Sequence, residues 1–385
     1  MARLFVLGNI LDGAIRPVAG LAVARYARNP MEHVRHGRVG AAVIERGPAT
    51  RRNATTALAG LVTLAFVTFL ALVVTAPDVD AAPARVRVGV LKFGTVSWEL
   101  DVMQTHGLAA REGVDLQVVT LASTNATTVA LQGGAVDMIV TDWTWVSRQR
   151  AEGRPYTFVP YSLTVGGLIV RPDSGIRELA DLRGKRLGVA GGPVDKSWLF
   201  FRAYGRRVLG EDLGKLVEPS FGGPPLLNEL VLRGELPAVL NYWQYGARLK
   251  AAGMRELVSV ADVLRALGVP GPVPLLGWAF DERWANANRA TVSAFLRAAY
   301  AAKQILTTSD AEWERIQPLT GATEPAVLRA LRDAFREGTP RRFGHAEIES
   351  ATAAFAVLAR EGGEELVGSS RQLSPGTFWD GFRLE

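Results

Sequence analysis

An uninterrupted apolar segment near the N-terminus divides the chain into two parts of different chemistry. Residues 54–75 carry no charge over 22 positions and follow Arg51-Arg52 closely. Ala82-Pro83-Ala84 comes shortly after them, and a strand-like stretch begins at Val86. A basic flank, an apolar core and a small-residue exit are typical of an export signal. The segment therefore predicts that the residues after about position 84 work outside the cytoplasmic membrane.

Two interpretations of residues 54–84 remain open: a cleaved signal peptide or a membrane anchor. The apolar run exceeds the usual signal core of about 7–15 residues, and it reaches the roughly 20 residues that span a bilayer. Residues 1–53 form a basic leader with nine arginines and three acidic residues. That leader is either an extended signal region, with Met31 as one alternative start, or a tail for anionic lipid or nucleic acid. Because the rest of the chain is nearly neutral, we expect a periplasmic protein that does not bind nucleic acid.

The residues that carry most catalytic chemistry are scarce after position 84. Cysteine is absent from the whole chain, which excludes disulfides, thiolate nucleophiles and cysteine-ligated metals. His106 and His345 are the histidines of this part, and they lie far apart in the sequence. No HExxH, GxSxG or P-loop pattern is present. The sequence thus predicts a protein that is not an enzyme and that uses no cofactor or metal.

Strand and helix patterns alternate twice along the body and predict an α/β fold. We expect strands at 86–93, 114–121, 137–141 and 156–161, and a helix over 98–112. A second alternation covers 172–273, with a strand at 215–219, and residues 278–385 are predicted to be mostly helical. Such alternation favours parallel-rich, doubly wound sheets. Two lobes joined by a hinge are predicted, with lobe I comprising 85–170 and 275–385 and lobe II comprising 171–274.

Four passages resemble the type II periplasmic solute-binding proteins of ABC importers. They are VRVGVLKF at 86–93, LQGGAVDMI at 131–139, ELADLRGKRLGVAGG at 178–192 and LRGELPAVL at 232–240. The resemblance is greatest to the branch that serves nitrate, sulfonates, taurine and thiamine-pyrimidine precursors. Pro237 stands where the second copy of the family's repeated pattern usually has Asp. The resemblance implies the type II fold over nearly all of 85–385.

This resemblance also implies a function and partners. It implies a monomeric receptor that captures a small organic ligand, anionic or heteroaromatic, in the cleft between the lobes. The partners would be an ABC permease and its ATPase, with membrane contact through 54–75 if that run is not cleaved. Two alternatives stay open: a membrane-tethered ligand sensor, and an enzyme similar to thiamine-pyrimidine synthases. Those enzymes use histidine and a cysteine-rich motif, which this chain lacks.

The candidate ligand contacts come from loops that follow predicted strands. In open α/β sheets, ligands bind beyond the carboxyl ends of the strands. Aromatic and uncharged polar side chains there suit a small, partly flat ligand. The predicted contacts are Ser97, Trp98, Thr124, Thr141, Asp142, Trp143, Gly192, Lys196, Ser197, Asn241 and Trp243.

Several of these predicted contacts have a second interpretation. Asp142, Thr95, Ser97, Thr141 and residues 123–125 are also candidates to cap helices, and the tryptophans are also candidates for the core. The N–H groups of the helix after Gly191-Gly192 either receive an anion or are satisfied by Asp195.

Overall fold

The computed structural model describes residues 82–92 and 94–384. The predicted basic leader and the apolar run at 54–75 lie outside the described residues, so the choice between signal peptide and anchor stays a prediction. Among the residues that the structure describes, no helix is both long and apolar enough to span a bilayer.

Ten strands are present in the described chain. They are β1 Ala84–Leu91, β2 Val114–Leu121, β3 Met138–Asp142, β4 Tyr156–Ser162, β5 Gly167–Val170, β6 Arg186–Ala190, β7 Glu218–Gly222, β8 Ala238–Asn241, β9 Arg255–Ser259 and β10 Leu276–Asp281.

Fourteen α-helices connect or follow these strands in the described residues, together with a 3₁₀ turn at Leu179–Leu182. They are α1 Val96–Thr105, α2 Leu108–Arg111, α3 Thr124–Gln132, α4 Trp143–Ala151, α5 Lys196–Leu209, α6 Leu213–Leu216, α7 Pro224–Leu232, α8 Trp243–Ala251, α9 Val260–Ala266, α10 Glu282–Ala287, α11 Arg289–Thr308, α12 Asp310–Thr320, α13 Pro325–Glu337 and α14 His345–Val367.

The strands form two five-stranded sheets with the same internal order. Sheet I runs β2-β1-β3-β10-β4, and sheet II runs β7-β6-β8-β5-β9. In each sheet, two neighbouring pairs are parallel, and one strand, β10 or β5, is antiparallel to both of its neighbours. The sheets are therefore mixed, although four strands of each point the same way. The chain passes between them twice, through 163–166 and again through 267–275.

Three sequence predictions differ from the structure for identifiable reasons. The predicted helix over 98–112 is interrupted at Gly107, whose left-handed backbone (φ 61°) ends α1 and begins α2. The predicted strand at 215–219 begins later, as β7, because Asp212 caps the short helix α6 first. The segment 278–385 is mostly helical as predicted, but its opening strand β10 was not predicted, since a short apolar run fits either structure by its pattern alone.

One core cluster contains residues of both sheets and of the C-terminal helix, and a second cluster lies beside sheet I. Trp278, Phe295 and Trp313 pack around α1 and α11 beside sheet I. Burying such side chains contributes about 1.5–3 kcal/mol each. Helix α14 packs against α4, which follows β3 of sheet I, and against α5, which follows β6 of sheet II. The lobe boundaries drawn at 171 and 274 stay a prediction, because α14 bridges the elements of both sheets.

Candidate functional site

The carboxyl ends of three strands bring the most polar of the predicted contacts together. Strand β3 ends at Asp142, β6 is followed by the N-terminus of α5, and β8 ends at Asn241. Helix α5 starts where it does because Asp195 caps it: one carboxylate oxygen accepts from the backbone N–H groups of Ser197 (2.9 Å) and Trp198 (3.3 Å). Of the two predicted partners for these N–H groups, a bound anion or Asp195, the structure shows Asp195.

An ion pair joins the end of sheet I to the start of α5. Lys196 Nζ lies 2.8 Å from Asp142 Oδ2, and the two residues are 54 positions apart in the sequence. Asp142 is also the N-cap of α4, since its other oxygen accepts from the N–H of Trp145 at 3.0 Å. The same carboxylate therefore starts a helix beside sheet I and holds a lysine from the side of sheet II.

The electrostatic environment keeps both members of this pair charged. Burial by itself raises the pKa of Asp142, but the charge and hydrogen bond of Lys196 hold that pKa below its ordinary value. Burial lowers the pKa of Lys196, yet the Asp142 carboxylate outweighs it, and the lysine pKa ends above its ordinary value. Such opposite-charge effects favour the ionised forms. At neutral pH the lysine is therefore a cation already paired with a carboxylate.

Asp195 and Tyr242 extend the network on the side of sheet II. The Tyr242 hydroxyl lies 3.3 Å from Asp195 Oδ2, and burial, followed by the Asp195 charge, raises the pKa of this tyrosine well above its usual range. Burial also raises the pKa of Asp195. Gly191 has φ 84°, and a Cβ there would lie 3.0 Å from the tyrosine hydroxyl. This glycine is needed both for its backbone conformation and for the close approach of Tyr242.

A second contact between the two sides is aromatic. The rings of Trp98, in α1, and Trp243, at the start of α8, meet edge to face with their centroids 6.1 Å apart. The indole N–H of Trp98 donates to the carbonyl of Leu319 at 3.3 Å. Nearby, Arg248 of α8 donates to the carbonyl of Thr320 at 2.6 Å. Helix α8 therefore rests against α1 and α12 through both an aromatic pair and a hydrogen bond.

Two of the predicted contacts are occupied in packing or in local hydrogen bonds. Asn241 is 1 % exposed, and its amide donates to Asn228 and to the carbonyl of Pro224 while accepting from the N–H of Tyr242. Trp143 is fully buried, and its ring centroid lies 6.2 Å from that of Phe355 in α14. Its indole N–H has no partner among the described residues. A ligand contact for either side chain stays a prediction.

The other predicted contacts lie at the ends of secondary-structure elements. The Ser97 hydroxyl donates to the carbonyl of Gly94 and closes the turn before α1. Thr124 is exposed at the start of α3, whose cap is the neighbouring Ser123. Thr141 is buried in β3, and Gly192 is half-buried with open space where a side chain would lie.

The structure adds Asp195 and Tyr242 to the residues chosen from sequence. Both lie in the loops that sequence reasoning placed at the strand ends, directly after β6 and β8. Their position after a strand was the available signal; the sequence offered the helix N–H groups as partners of Asp195, but it did not identify Asp195 as the partner of the Tyr242 hydroxyl. Within residues 82–92 and 94–384, no three His, Asp or Glu side chains are arranged to hold a metal ion.

Two similar mixed sheets, joined by two crossings and linked by the Asp142–Lys196 pair, match the two-lobed α/β fold of periplasmic binding proteins. The family model described as NMT1/THI5 like matches residues 100–310, which is more than half of the chain. The chain belongs to the NMT1/THI5-like family. The predicted resemblance to type II solute-binding proteins is thereby confirmed.

Solved structures share the fold at low sequence identity. The alkanesulfonate-binding protein SsuA from Xanthomonas axonopodis pv. citri, bound to MOPS, is 18 % identical with a TM-score of 0.60, and the match covers 78 % of this chain and 99 % of that one. The periplasmic aliphatic sulphonate-binding protein SsuA from Escherichia coli is 19 % identical with a TM-score of 0.63, covering 79 % and 94 %.

The same fold also occurs in a protein named for catalysis. The desulfurization enzyme DSZB is 16 % identical with a TM-score of 0.50, covering 72 % of this chain and 92 % of that one. Comparison with curated proteins finds no match. Since one fold carries both binding proteins and an enzyme, the function has to be argued from the site.

Proposed function

We propose that this protein is the extracytoplasmic solute-binding component of an ABC importer. It captures a small organic ligand, anionic or heteroaromatic, in the cleft between its two lobes and delivers it to a permease driven by an ATPase. It works as a monomer in the periplasm and binds no nucleic acid. The family and the shared fold support this assignment.

The observation that carries the proposal is the Asp142–Lys196 ion pair. The pair connects the end of β3 in sheet I with the start of α5 beside sheet II. A contact of this kind exists only when the two strand ends approach, so it belongs to a closed arrangement. A ligand that binds the closed arrangement more tightly than an open one shifts the population toward it. A permease can then recognise the ligand-bound protein, because the closed arrangement presents a different surface from the open one.

The side chains around this pair suit a ligand with a flat body and a small polar group. Trp243, which is partly exposed and backed by the buried ring of Trp98, supplies an apolar ring surface, and Tyr242 supplies a hydroxyl. Lys196 supplies a cation, but an anionic ligand has to compete with Asp142 for it. Sulfonates are an obvious test class, because the two SsuA proteins that share this fold are described as sulfonate-binding.

A thermal and scattering titration tests the proposal. Purified protein is titrated with three probes: MOPS, nitrate and 4-aminopyrimidine. We expect at least one probe to raise the melting temperature saturably, because a ligand that binds only the native state stabilises it, and to reduce the radius of gyration. If none of the three changes either quantity, the proposal is wrong.

Variants then locate the site. Lys196→Ala removes the cation of the ion pair, and we expect the affinity for the stabilising probe to fall by at least about tenfold, or about 1.4 kcal/mol. Lys215→Ala is the matched control, since Lys215 is an exposed lysine of α6, which precedes β7 and therefore lies at the edge of sheet II away from the strand ends that form the site. Equal affinities for the two variants would contradict the cleft assignment. Mass spectrometry of the bound probe should recover it unchanged, and a converted product would favour an enzyme instead.

A further inference from the structure

A cavity of about 440 Å³ lies beside the two crossings between the sheets. Its walls include residues 163–167 of the first crossing and 269–273 of the second. Helices α8, α9 and α13 complete the walls, through residues such as Gly246, Leu264 and Ala334. Of the eleven predicted ligand contacts, Trp243 alone lines it. Its volume falls within the roughly 300–1,000 Å³ of small-molecule sites.

The first crossing is held tightly between elements of both sheets. A Cβ on Gly166 would lie 1.9 Å from the carbonyl oxygen of Asn241, at the end of β8. A Cβ on Gly338, after α13, would lie 2.0 Å from the Thr164 side chain, and the Gly338 carbonyl accepts from the N–H of Leu163 at 2.8 Å. Residues 163–166, which form this wall of the cavity, therefore cannot shift unless the two sheets move relative to each other. A change in the angle between the sheets has to change the shape of the cavity.

The chemistry of the walls favours an uncharged occupant. The interior surface comes mainly from Val165, Ile169, Leu264 and the prolines and valines of 269–273, with Trp243 at one side. The charged groups on the wall that could hold an ion are engaged with their neighbours: Lys250 with Glu256 at 2.7 Å, and Arg265 with Asp262 at 2.9 Å. The remaining one, Glu337, is exposed to solvent.

An ionic guest would have to break one of these pairs or enter an apolar space with its charge uncompensated. Opening one of these exposed pairs costs only about 0–1 kcal/mol, but a charge placed against the apolar walls carries a desolvation cost that a neutral molecule avoids. The indole of Trp243 and the rings of Pro270 and Pro272 are flat apolar surfaces. A ring-shaped molecule can pack closely against surfaces of this kind.

We propose that this hinge cavity is a second binding site, for a compact uncharged ring compound, and that its occupancy favours the closed arrangement of the lobes. The cavity is formed by both crossings in the same arrangement that brings Asp142 and Lys196 together. A guest that fits this shape stabilises this arrangement over any other. The coupling to closure rests on the proposed function, whereas the binding itself does not.

Binding is tested with 5-fluoroindole, followed by ¹⁹F NMR on the purified protein without any cleft ligand. We expect a saturable change in the fluorine signal. Gly246→Leu fills the cavity: a Cβ at this helical position meets only Ile169, at 3.7 Å, so the side chain can extend into the space. We expect this variant to weaken binding by at least about tenfold.

Matched variants distinguish loss of cavity space from other consequences of substitution at position 246. Gly246→Ala adds helix propensity without filling the space, and should bind as the unchanged protein does. Ala261→Trp, at an exposed position on the rim, should also weaken binding, and it serves if Gly246→Leu does not fold. Lys196→Ala should reduce the affinity for 5-fluoroindole less than Gly246→Leu does, because it removes one contact of the closed arrangement but leaves the cavity walls intact. Absence of saturable binding overturns the proposal. So does binding that survives both filling variants, or that Lys196→Ala weakens as strongly as Gly246→Leu, since the probe then occupies the cleft.

Coupling is tested by small-angle scattering with and without saturating 5-fluoroindole. We expect a smaller radius of gyration with the probe, and no change in Gly246→Leu. Saturable binding with an unchanged radius of gyration would refute the coupling and leave the proposed function untouched. A failure of the cleft probes together with successful binding of 5-fluoroindole would reject the proposed function instead.

Discussion

Two lysine–carboxylate pairs of the described chain differ in burial, and the pKa values of their members shift in opposite directions. Lys303 lies 2.5 Å from Glu99, and their side chains are 4 % and 0 % exposed. Lys196 lies 2.8 Å from Asp142, and their side chains are 31 % and 16 % exposed. The first pair lies between α1 and α11 beside one sheet, whereas the second connects elements of the two sheets. Similar chemistry therefore serves a fixed core in one place and a contact between lobes in the other.

The direction of the pKa shifts expresses this difference. Burial raises the pKa of Glu99 despite the nearby Lys303 charge, and burial lowers the pKa of Lys303 despite Glu99. In the exposed pair the partner's charge prevails over burial, and both groups are held in their charged forms. A deeply buried charge thus depends on its oppositely charged partner for stability. In a partly exposed pair, water can stabilise either charge if the pair opens. Only the second kind of pair suits a contact that has to form and break.

The largest expected effect on the free energy of unfolding comes from substitution in the buried Glu99–Lys303 pair. Lys303→Met leaves the Glu99 carboxylate buried without its cation, and we expect a loss of about 3–5 kcal/mol in the free energy of unfolding. The ammonium also lies 4.0 Å from the centre of the Tyr161 ring, a contact that is lost with it. Denaturant unfolding measures the difference.

Lys196→Met is the matched control, with an expected loss of about 0–1 kcal/mol for a partly exposed pair. The double variant Glu99→Gln/Lys303→Met should recover part of the loss, because it removes the uncompensated charge. Similar losses for Lys303→Met and Lys196→Met would show that the two pairs do not differ as their burial implies.

The next effect compares two tryptophans from the predicted site. Trp143→Ala removes a fully buried ring from its contact with Phe355, and we expect a loss of about 3–4 kcal/mol in the free energy of unfolding. Trp243→Ala removes a partly exposed ring, and its main effect should be on ligand affinity. Unfolding and binding measured on both variants separate these roles. A Trp143→Ala protein of normal stability would place that ring outside the core.

The smallest effect is the pH dependence that Asp142 contributes. Its pKa in the folded protein lies below its ordinary value of about 3.9. The charged form therefore stabilises the fold above about pH 4, and this contribution is lost as the pH falls through the folded pKa. The difference in stability between the unchanged protein and Asp142→Asn should be constant from about pH 5 to 8 and shrink in acid. A difference that instead grows in acid would reverse the assigned shift.

Local patterns predicted much of the fold and the positions of the site loops. Strand β2 has the predicted bounds, since Gly113, with φ 71°, precedes it and Ser123 caps the helix that follows it. Helix α5 follows from Asp195 as its cap and Gly210, with φ 73°, as its end. Strand β5 was missed because four apolar residues fit a strand or a buried helix turn equally well. Its identity depends on β8 and β9, the partners on either side of it.

The sequence by itself determined the α/β alternation, the family resemblance and the strand ends where polar residues gather, because these depend on neighbours within a few positions. The tertiary structure decided that Lys196 meets Asp142, that Tyr242 meets Asp195 and that Trp143 is buried under Phe355. Those contacts join residues that lie between 47 and 212 positions apart in the sequence. Their charge states and exposure depend on how closely the sheets approach, which local sequence does not specify.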